Sequence, residues 1–408
     1  VVIRIASGCG RGRPAIARPT QDAADTRDRP TESPAPTRIV TSPDRIILSM
    51  NPMNLLKKSI PLWPILLFAG TSAAQSNVTV FGILDTSLAH VRTDTGAVTG
   101  LASGGVSSSR LGFRGTEDLG GGLTGGFWLE AGLNGDNGNA SGFQFDRRAT
   151  LSLSDRRLGE LRLGRDKIPA YLNIETFDPF NDIGIGGIGG SNLVGGASAA
   201  PGTAEGSAPK RTSNGINYLL PGRLGGFYGQ LQYAFGEQAR NVGNASLRDT
   251  AALRLGYKAG ALDVAIGHGR VRGGTTAIGV DYDATNIGAS YDLGAVKPMA
   301  VFATERGAGR RVDLLSVGAT VSVGAGEWRA AYSTFRRKDL DDADSRKLSL
   351  GYGHDLSKRT QLYATVSRVD NDARATRGLT VSSSSLASPG IAAGSHVTGY
   401  EIGVRHGF

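Results

Sequence analysis

The stretch from Gly399 to Phe408 constrains the fold more than any other part of the sequence. Tyr400, Ile402, Val404, His406 and Phe408 fall on one face of an extended strand, and Glu401, Gly403, Arg405 and Gly407 on the other, because strand side chains alternate with a period of two. An apolar face backed by a small or charged one suits a strand with lipid on one side and water on the other. The pattern recurs upstream. Phe127, Leu129, Ala131 and Leu133 oppose Trp128, Glu130 and Gly132, and Leu151 and Leu153 oppose Thr150 and Ser152. Leu253, Leu255 and Tyr257 oppose Arg254, Gly256 and Lys258, and Leu348, Leu350 and Tyr352 oppose Lys347, Ser349 and Gly351. Charges on the second face are costly in lipid and cheap beside a water-filled lumen.

From Val78 onward the strands come in pairs. Tight turns are expected near 118–122, 155–159, 221–226, 258–261, 292–295, 323–327 and 355–359. Longer connections are expected over 93–106, 135–142, 169–210, 237–248, 273–282, 307–311, 338–344 and 371–396. Together these join sixteen strands, and strict alternation of short and long connections is the habit of an outer-membrane barrel rather than of a soluble sandwich. Glycine, 60 of 408 residues, recurs inside strands and turns without a collagen period. Past residue 75 no apolar run approaches the ~20 residues of a spanning helix. A membrane protein with this sequence is therefore an all-β, closed antiparallel barrel. Phe81, Phe113, Tyr218, Tyr257, Tyr291, Tyr332, Tyr352 and Tyr363 are candidates for its interfacial aromatic girdles.

The N-terminal part reads differently. Met53-Asn-Leu-Leu-Lys57-Lys58, the apolar stretch Ile60–Ala69 and the small residues Ser72-Ala73-Ala74 have the layout of a secretory signal peptide over 53–74, cleaved after Ala74. Pro61 and Pro64 argue against a buried helix there. Residues 1–52, rich in Arg, Pro, Asp and Thr, are expected to be a disordered, non-native upstream extension, with translation starting at Met53 or Met50. The barrel domain is then 75–408. Ten of the 45 basic and five of the 36 acidic residues precede it, so the +9 charge of the whole chain falls to +4. That is mild, and no basic run is interleaved with aromatics, so nucleic acid is not an expected partner. Cys9, the only cysteine, also lies upstream, which leaves the barrel without disulfides or a cysteine metal site.

Nothing in the sequence points to catalysis. His90, His268, His354, His396 and His406 form no H-E-x-x-H motif, and no G-x-S-x-G elbow occurs. Gly184-Ile-Gly-Gly-Ile-Gly189 fits G-x-G-x-x-G literally, but it lacks the flanking strand and helix and lies inside a long connection. No catalytic residues, metal or cofactor are expected. The alternative to a channel is an adhesin or receptor acting through its loops, the Ser-, Ala- and Gly-rich 371–396 above all.

Several segments resemble the Gram-negative general (non-specific) porins of the beta-proteobacterial type. Val78–Asp85 resembles their first strand. Ser109-Arg-Leu-Gly-Phe-Arg-Gly-Thr-Glu-Asp-Leu-Gly-Gly-Gly-Leu123, continuing to Phe127-Trp-Leu-Glu130, resembles the second and third. Asp146–Ser154, Leu163-Gly-Arg165, Asp178-Pro-Phe180, Phe235-Gly-Glu237 and Val404–Phe408 follow in the family's order. The resemblance implies a homotrimer of 16-stranded barrels with short periplasmic turns, long extracellular loops and a third loop folded inward to narrow each pore. That loop is 169–210, bearing Glu175, Asp178, Asp182 and Glu205, with Lys210 at its end. The basic wall facing it is expected from Arg110, Arg114, Arg147, Arg148, Arg162 and Arg211, with Glu130 nearby and Asn217 where the family carries an Arg. Alternation with Ala149 and Leu151 would point Arg147 outward, and a bulge or a place above the lipid would reconcile the two readings. Arg405 faces inward by alternation and is expected to lie away from the constriction. Phe408, with Tyr400, resembles the family's barrel-assembly signal. The expected function is a water-filled outer-membrane channel for passive diffusion of small hydrophilic solutes and ions, mildly anion-selective. Its implied partners are outer-membrane lipid, lipopolysaccharide and the assembly machinery.

Overall fold

The computed structural model describes residues 77–139, 142–189, 193, 209–237, 246, 248–273, 280–379, 381, 386 and 389–408. The expected upstream extension (1–52), the signal peptide (53–74) and Glu205 lie outside the described residues.

Seventeen β segments and one helix make up the described chain. They are β1 (Asn77–Thr93), β2 (Gly96–Ser103), β3 (Arg110–Gly120), β4 (Leu123–Gly132), β5 (Arg148–Asp155), β6 (Gly159–Lys167), α1 (Pro169–Thr176), β7 (Arg211–Leu219), β8 (Phe227–Ala234) and β9 (Thr250–Ala259). There follow β10 (Leu262–Val271), β11 (Tyr282–Tyr291), β12 (Val296–Gly307), β13 (Arg310–Val323), β14 (Gly326–Arg337), β15 (Ser345–Asp355), β16 (Thr360–Asn371) and β17 (His396–Gly407). Each segment from β3 to β17 pairs antiparallel with the next, and β17 returns to β1 through Ile83↔Gly407 to Arg92↔Thr398. The sheet is closed and has no free edge.

Sixteen staves carry the seventeen segments. The upper half of β1 pairs with β2 (Thr86↔Ser103 to Thr93↔Gly96) and its lower half with β3 (Asn77↔Thr116 to Ile83↔Arg110). β2 and β3 are therefore one stave interrupted at 104–109. Asp85 fills the interruption, its buried carboxylate accepting the N–H groups of Gly105 (3.2 Å), Val106 (3.0 Å) and Ser107 (2.7 Å). The connection expected over 93–106 is thus mostly strand, with only a turn at 94–95. The interruption falls where a buried carboxylate replaces the missing ladder partners.

The barrel wall is apolar outside and polar inside. Leu151 (63% exposed), Ile402 (66%) and Leu348 (59%) face outward, while Glu305, Glu401, Ser316, Ser333, Ser349 and Ser367 are almost fully buried. Across the lumen face Ser333 bonds Ser316 and Ser367 bonds Ser349, both at 2.9 Å. An apolar exterior this extensive is not sustained by a soluble monomer and fits a lipid-facing surface. Trp328–Tyr352 (4.7 Å) and Phe227–Tyr257 (4.8 Å) form outward aromatic pairs near the short-turn end. Two of the girdle candidates point the other way. Tyr363 is buried and donates to Asp85, and the Phe81 ring lies edge-on to Trp128 at 5.0 Å on the lumen side.

Candidate pore constriction

The long connection between β6 and β7 folds back onto the inner wall. Pro169 opens α1, where a missing N–H costs nothing. The helix lies on the lumen side of β9–β11. Asn173 fastens it, donating to Ala265 O (2.9 Å) and Asn286 Oδ1 (2.8 Å) and accepting from Arg254 Nε (3.0 Å). Asn286 returns a bond to Ala170 O at 2.9 Å. Glycine makes the close approach possible: a Cβ at Gly267 would stand 3.0 Å from Ala170 Cα, and one at Gly288 would enter the Phe177 ring.

Beyond α1 the loop follows the wall. Pro179 approaches Gly318 of β13 and Phe180 approaches Gly351 of β15. Ile185 enters an apolar cluster with Val91, Val369, Val397 and Leu379. Lys347 Nζ donates to Gly187 O, and Ile185 N donates to Glu401 Oε2 at 3.4 Å. Asp178 is the hub of the turn, accepting from Phe180 N (3.1 Å), Asp182 N (2.8 Å) and Ile188 N (3.0 Å). Burial, reinforced by the neighbouring Asp182 charge, pushes the Asp178 carboxyl up to about 6, with those N–H donors pulling the other way.

Across from the loop stands a column of cations on β3–β7. Glu130 is its centre, with Arg147 Nε at 2.6 Å, an Arg110 guanidinium nitrogen at 3.9 Å and Trp128 Nε1 donating at 3.2 Å. Trp128 lies between two guanidiniums, Arg148 at 4.5 Å and Arg114 at 5.1 Å from a ring centroid. Arg162 bridges Glu160 (2.9 Å) and Asp166 (2.6 Å), and Arg148 Nε is 3.9 Å from Asp166. Lys167 pairs with Glu175 of α1, and Arg211 sits opposite Lys167 in register. The buried Nε of Arg211 has no hydrogen-bond partner among the described residues. Arg110 lies in the electrostatic field of Glu130, Arg147, Glu175 and Arg405, and Arg211 in that of Arg147, Glu175 and Glu130.

The expected site residues divide accordingly. Arg110, Arg147, Arg211, Glu130 and Glu175 come together, and Arg114, Arg148 and Arg162 continue the column toward the short turns. Arg147 escapes the alternation because it precedes β5 and follows irregular backbone; its side chain turns inward onto Glu130 and is only 12% exposed. Asp178 (1% exposed) and Asp182 (6%) do not front the aperture. Backbone donors consume the first, and Lys210 holds the second at 3.3 Å. Arg405, expected away from the constriction, is a neighbour of Arg110, because Ile83 pairs with Arg110 on one side and with Gly407 on the other. Asn217 stands opposite Arg162 and accepts from Gln230 (3.1 Å) and Gln232 (2.7 Å), so neutral amides occupy that part of the wall. Residues not singled out from the sequence as site residues include Lys167, Asp166, Glu160 and Trp128. Only the inward parity of Trp128 hinted at them.

A closed antiparallel barrel with a lipid-facing exterior and a lumen narrowed by its third loop defines a channel-forming outer-membrane protein. The Gram-negative porin family model matches residues 64–374, and the chain belongs to that family. Outer membrane porin protein 32 of Delftia acidovorans is 37% identical over 365 residues, covering 86% of this chain and all of that protein. An outer membrane porin protein of Bordetella pertussis is 30% identical, covering 74% of this chain and 91% of its own length. The solved anion-selective porin from Comamonas acidovorans superposes with a TM-score of 0.74 at 36% identity, over 82% of this chain and all of that one. The trimer form of OmpT from Vibrio cholerae shares the fold, with a TM-score of 0.59 at 17% identity. This chain is an outer-membrane porin, and the receptor alternative finds no support among its relatives.

Proposed function

We propose that the chain is a passive, water-filled channel for small hydrophilic solutes and inorganic ions, with a preference for small anions at a constriction between the third loop and the β3–β7 wall. One observation carries the preference. Arg110, Arg114, Arg147, Arg148, Arg162, Lys167 and Arg211 gather on one wall around three carboxylates, Glu130, Glu160 and Asp166, with Glu175 of α1 reaching Lys167 from the loop. Positive excess in a narrow lumen bounded by low-dielectric walls raises the local concentration of anions and lowers that of cations. The solved relative named an anion-selective porin supports the same sign. Diffusion through such an aperture makes and breaks no covalent bond, so no catalytic residue, metal or cofactor is assigned.

The same reading takes 53–74 as the cleaved export signal and the assembly as a homotrimer, as the family resemblance implies. It takes lipopolysaccharide and the outer-membrane assembly machinery as partners. Single-channel recording in a planar bilayer under a KCl gradient tests the function: step conductances with a reversal potential on the anion side are expected. No steps, or a cation-side potential, would reject it.

A further inference from the structure

We propose that Arg377, in the connection between β16 and β17, is a positioning residue of the pore: it clamps the far part of the third loop to the inner wall at Leu193 and so keeps the lumen open. The inference rests on the channel reading above and adds a second loop to the elements that set the aperture.

Leu193 is held from three directions. Its side chain is buried in the apolar cluster of Ile188, Val301, Val312, Leu314 and Phe335. Its N–H donates to Glu305 Oε2 of β12 at 3.0 Å, and its carbonyl accepts from Arg377 Nη2 at 3.0 Å. The Arg377 guanidinium lies over the Phe335 ring of β14, 3.9 Å from its centroid, and within the field of Glu305. Both Arg377 and Glu305 are almost fully buried. To make these contacts the connection after β16 reaches past β15 to β14.

The arginine is fixed before it reaches the loop. Asn371, at the end of β16, grips its backbone from both sides, accepting from Arg377 N at 3.0 Å and donating to Arg377 O at 3.0 Å. The same amide donates to Ser395 O at 2.9 Å, which ties the two ends of the connection together. Leu379, two residues on, sits with Ile185 of the third loop in the second apolar cluster, both against Gly399. The connection thus meets the third loop twice, by apolar contact at Ile185 and by a charge-assisted hydrogen bond at Leu193.

Only the second contact leaves a polar group stranded when it is broken. Without the guanidinium, the Leu193 carbonyl would stay buried with its donor removed, an arrangement that favours any loop conformation in which water reaches it. On this side of the wall that water is in the lumen, so the released segment moves toward the path of the solute. Neither Arg377 nor Leu193 belongs to a strand, and the closed ladder does not depend on them. Barrel folding and pore opening are therefore separable.

The test is planar-bilayer recording of the purified protein, with hydrogen exchange at the Leu193 amide and heat-modifiable mobility read on the same preparations. Arg377→Met keeps the apolar length over Phe335 and loses every donor. It is expected to fold as the wild type does, to exchange faster at Leu193, and to spend on the order of tenfold more time in closed or reduced-conductance states under voltage. Arg377→Lys, which keeps the charge and a donor, should restore much of the open time. Arg374→Gln removes an exposed charge from the same connection and should leave the closures as they are. Wild-type closure in Arg377→Met overturns the proposal, and so does an equal rise in Arg374→Gln, which would assign the effect to charge at the mouth. Should Arg377→Met fail to fold, Asn371→Ala decides: it unpins the arginine backbone with the guanidinium intact, and wild-type closure and exchange there overturn the clamp. Absence of any conductance in the wild type would instead reject the channel reading and the pore role with it, while exchange at Leu193 would still report whether Arg377 holds the loop.

Discussion

The ring of Phe408 lies in the space that a side chain at residue 82 would occupy, and the two residues exchange backbone hydrogen bonds, Gly82 N to Phe408 O at 3.0 Å and Phe408 N to Gly82 O at 3.1 Å. The last residue thus closes the barrel against the first stave, and a glycine there makes the contact possible. Phe408→Ala removes the ring but leaves the backbone pair. It should lower the folded fraction, read as heat-modifiable electrophoretic mobility. Gly82→Leu drives a side chain into the ring at a cost of about 1–3 kcal/mol and should reduce folded protein at least as much. Wild-type folded fractions in both variants would refute a closing role for this contact.

Arg110→Gln should move the reversal potential in a KCl gradient toward cation preference. One unit charge at 4 Å in a water-like dielectric amounts to about 1 kcal/mol, so the local anion concentration should fall and that of cations rise by up to about fivefold each, and the anion-to-cation permeability ratio should fall accordingly. Arg405→Gln should shift it in the same direction, since Arg405 acts on Arg110 through the shared neighbour β1. Arg329→Gln is the control: it lies near the short-turn end beside Glu327, at 2.7 Å. An equal shift from Arg329→Gln would show that selectivity follows total lumen charge rather than the proposed constriction.

Glu130→Gln should act with the opposite sign. It releases Arg147 and Arg110 from their shared carboxylate, and anion preference should rise. It also removes a charge-assisted bond of 2.6 Å, so thermal stability should fall by about 1–3 kcal/mol. Conductance and melting measured on the same variant separate the two effects; a shift toward cations would contradict the assigned wall.

The third loop should be anchored more firmly at acid pH as far as Asp178 is concerned. Its folded pKa, about 6, lies above the 3.8 of an ordinary aspartate. Its stabilising contribution is therefore complete below about pH 4 and is lost as pH rises through 6. Asp182 repels the ionised form, while Lys347 attracts it. Hydrogen exchange of the Ile188 and Phe180 amides should be slower at pH 5 than at pH 7, after correction for intrinsic rates. Asp178→Asn should flatten that difference. An unaltered pH profile in Asp178→Asn would place the titration elsewhere.

The sequence by itself determined the barrel. Alternation with a period of two is a local property, so each strand announces its faces without knowledge of its neighbours. Tyr400, Ile402 and Val404 are outward and Glu401 is inward, as parity requires. The turns follow equally from local chemistry, and sixteen staves follow from counting them. The lumen depended on contacts that no local period encodes. Asp178 and Asp182 look like pore-facing acids until the loop's own N–H groups and Lys210 are seen to surround them. Arg147 turns inward because it precedes the strand whose parity would have sent it outward. Arg405 neighbours Arg110 only because closure brings the two ends of the barrel to opposite sides of β1. Ser87 donates to Glu401 at 2.7 Å across 314 residues of chain. Period and turn chemistry act over a few residues, whereas the proposed constriction lies where the closed sheet and a folded-in loop bring distant residues together.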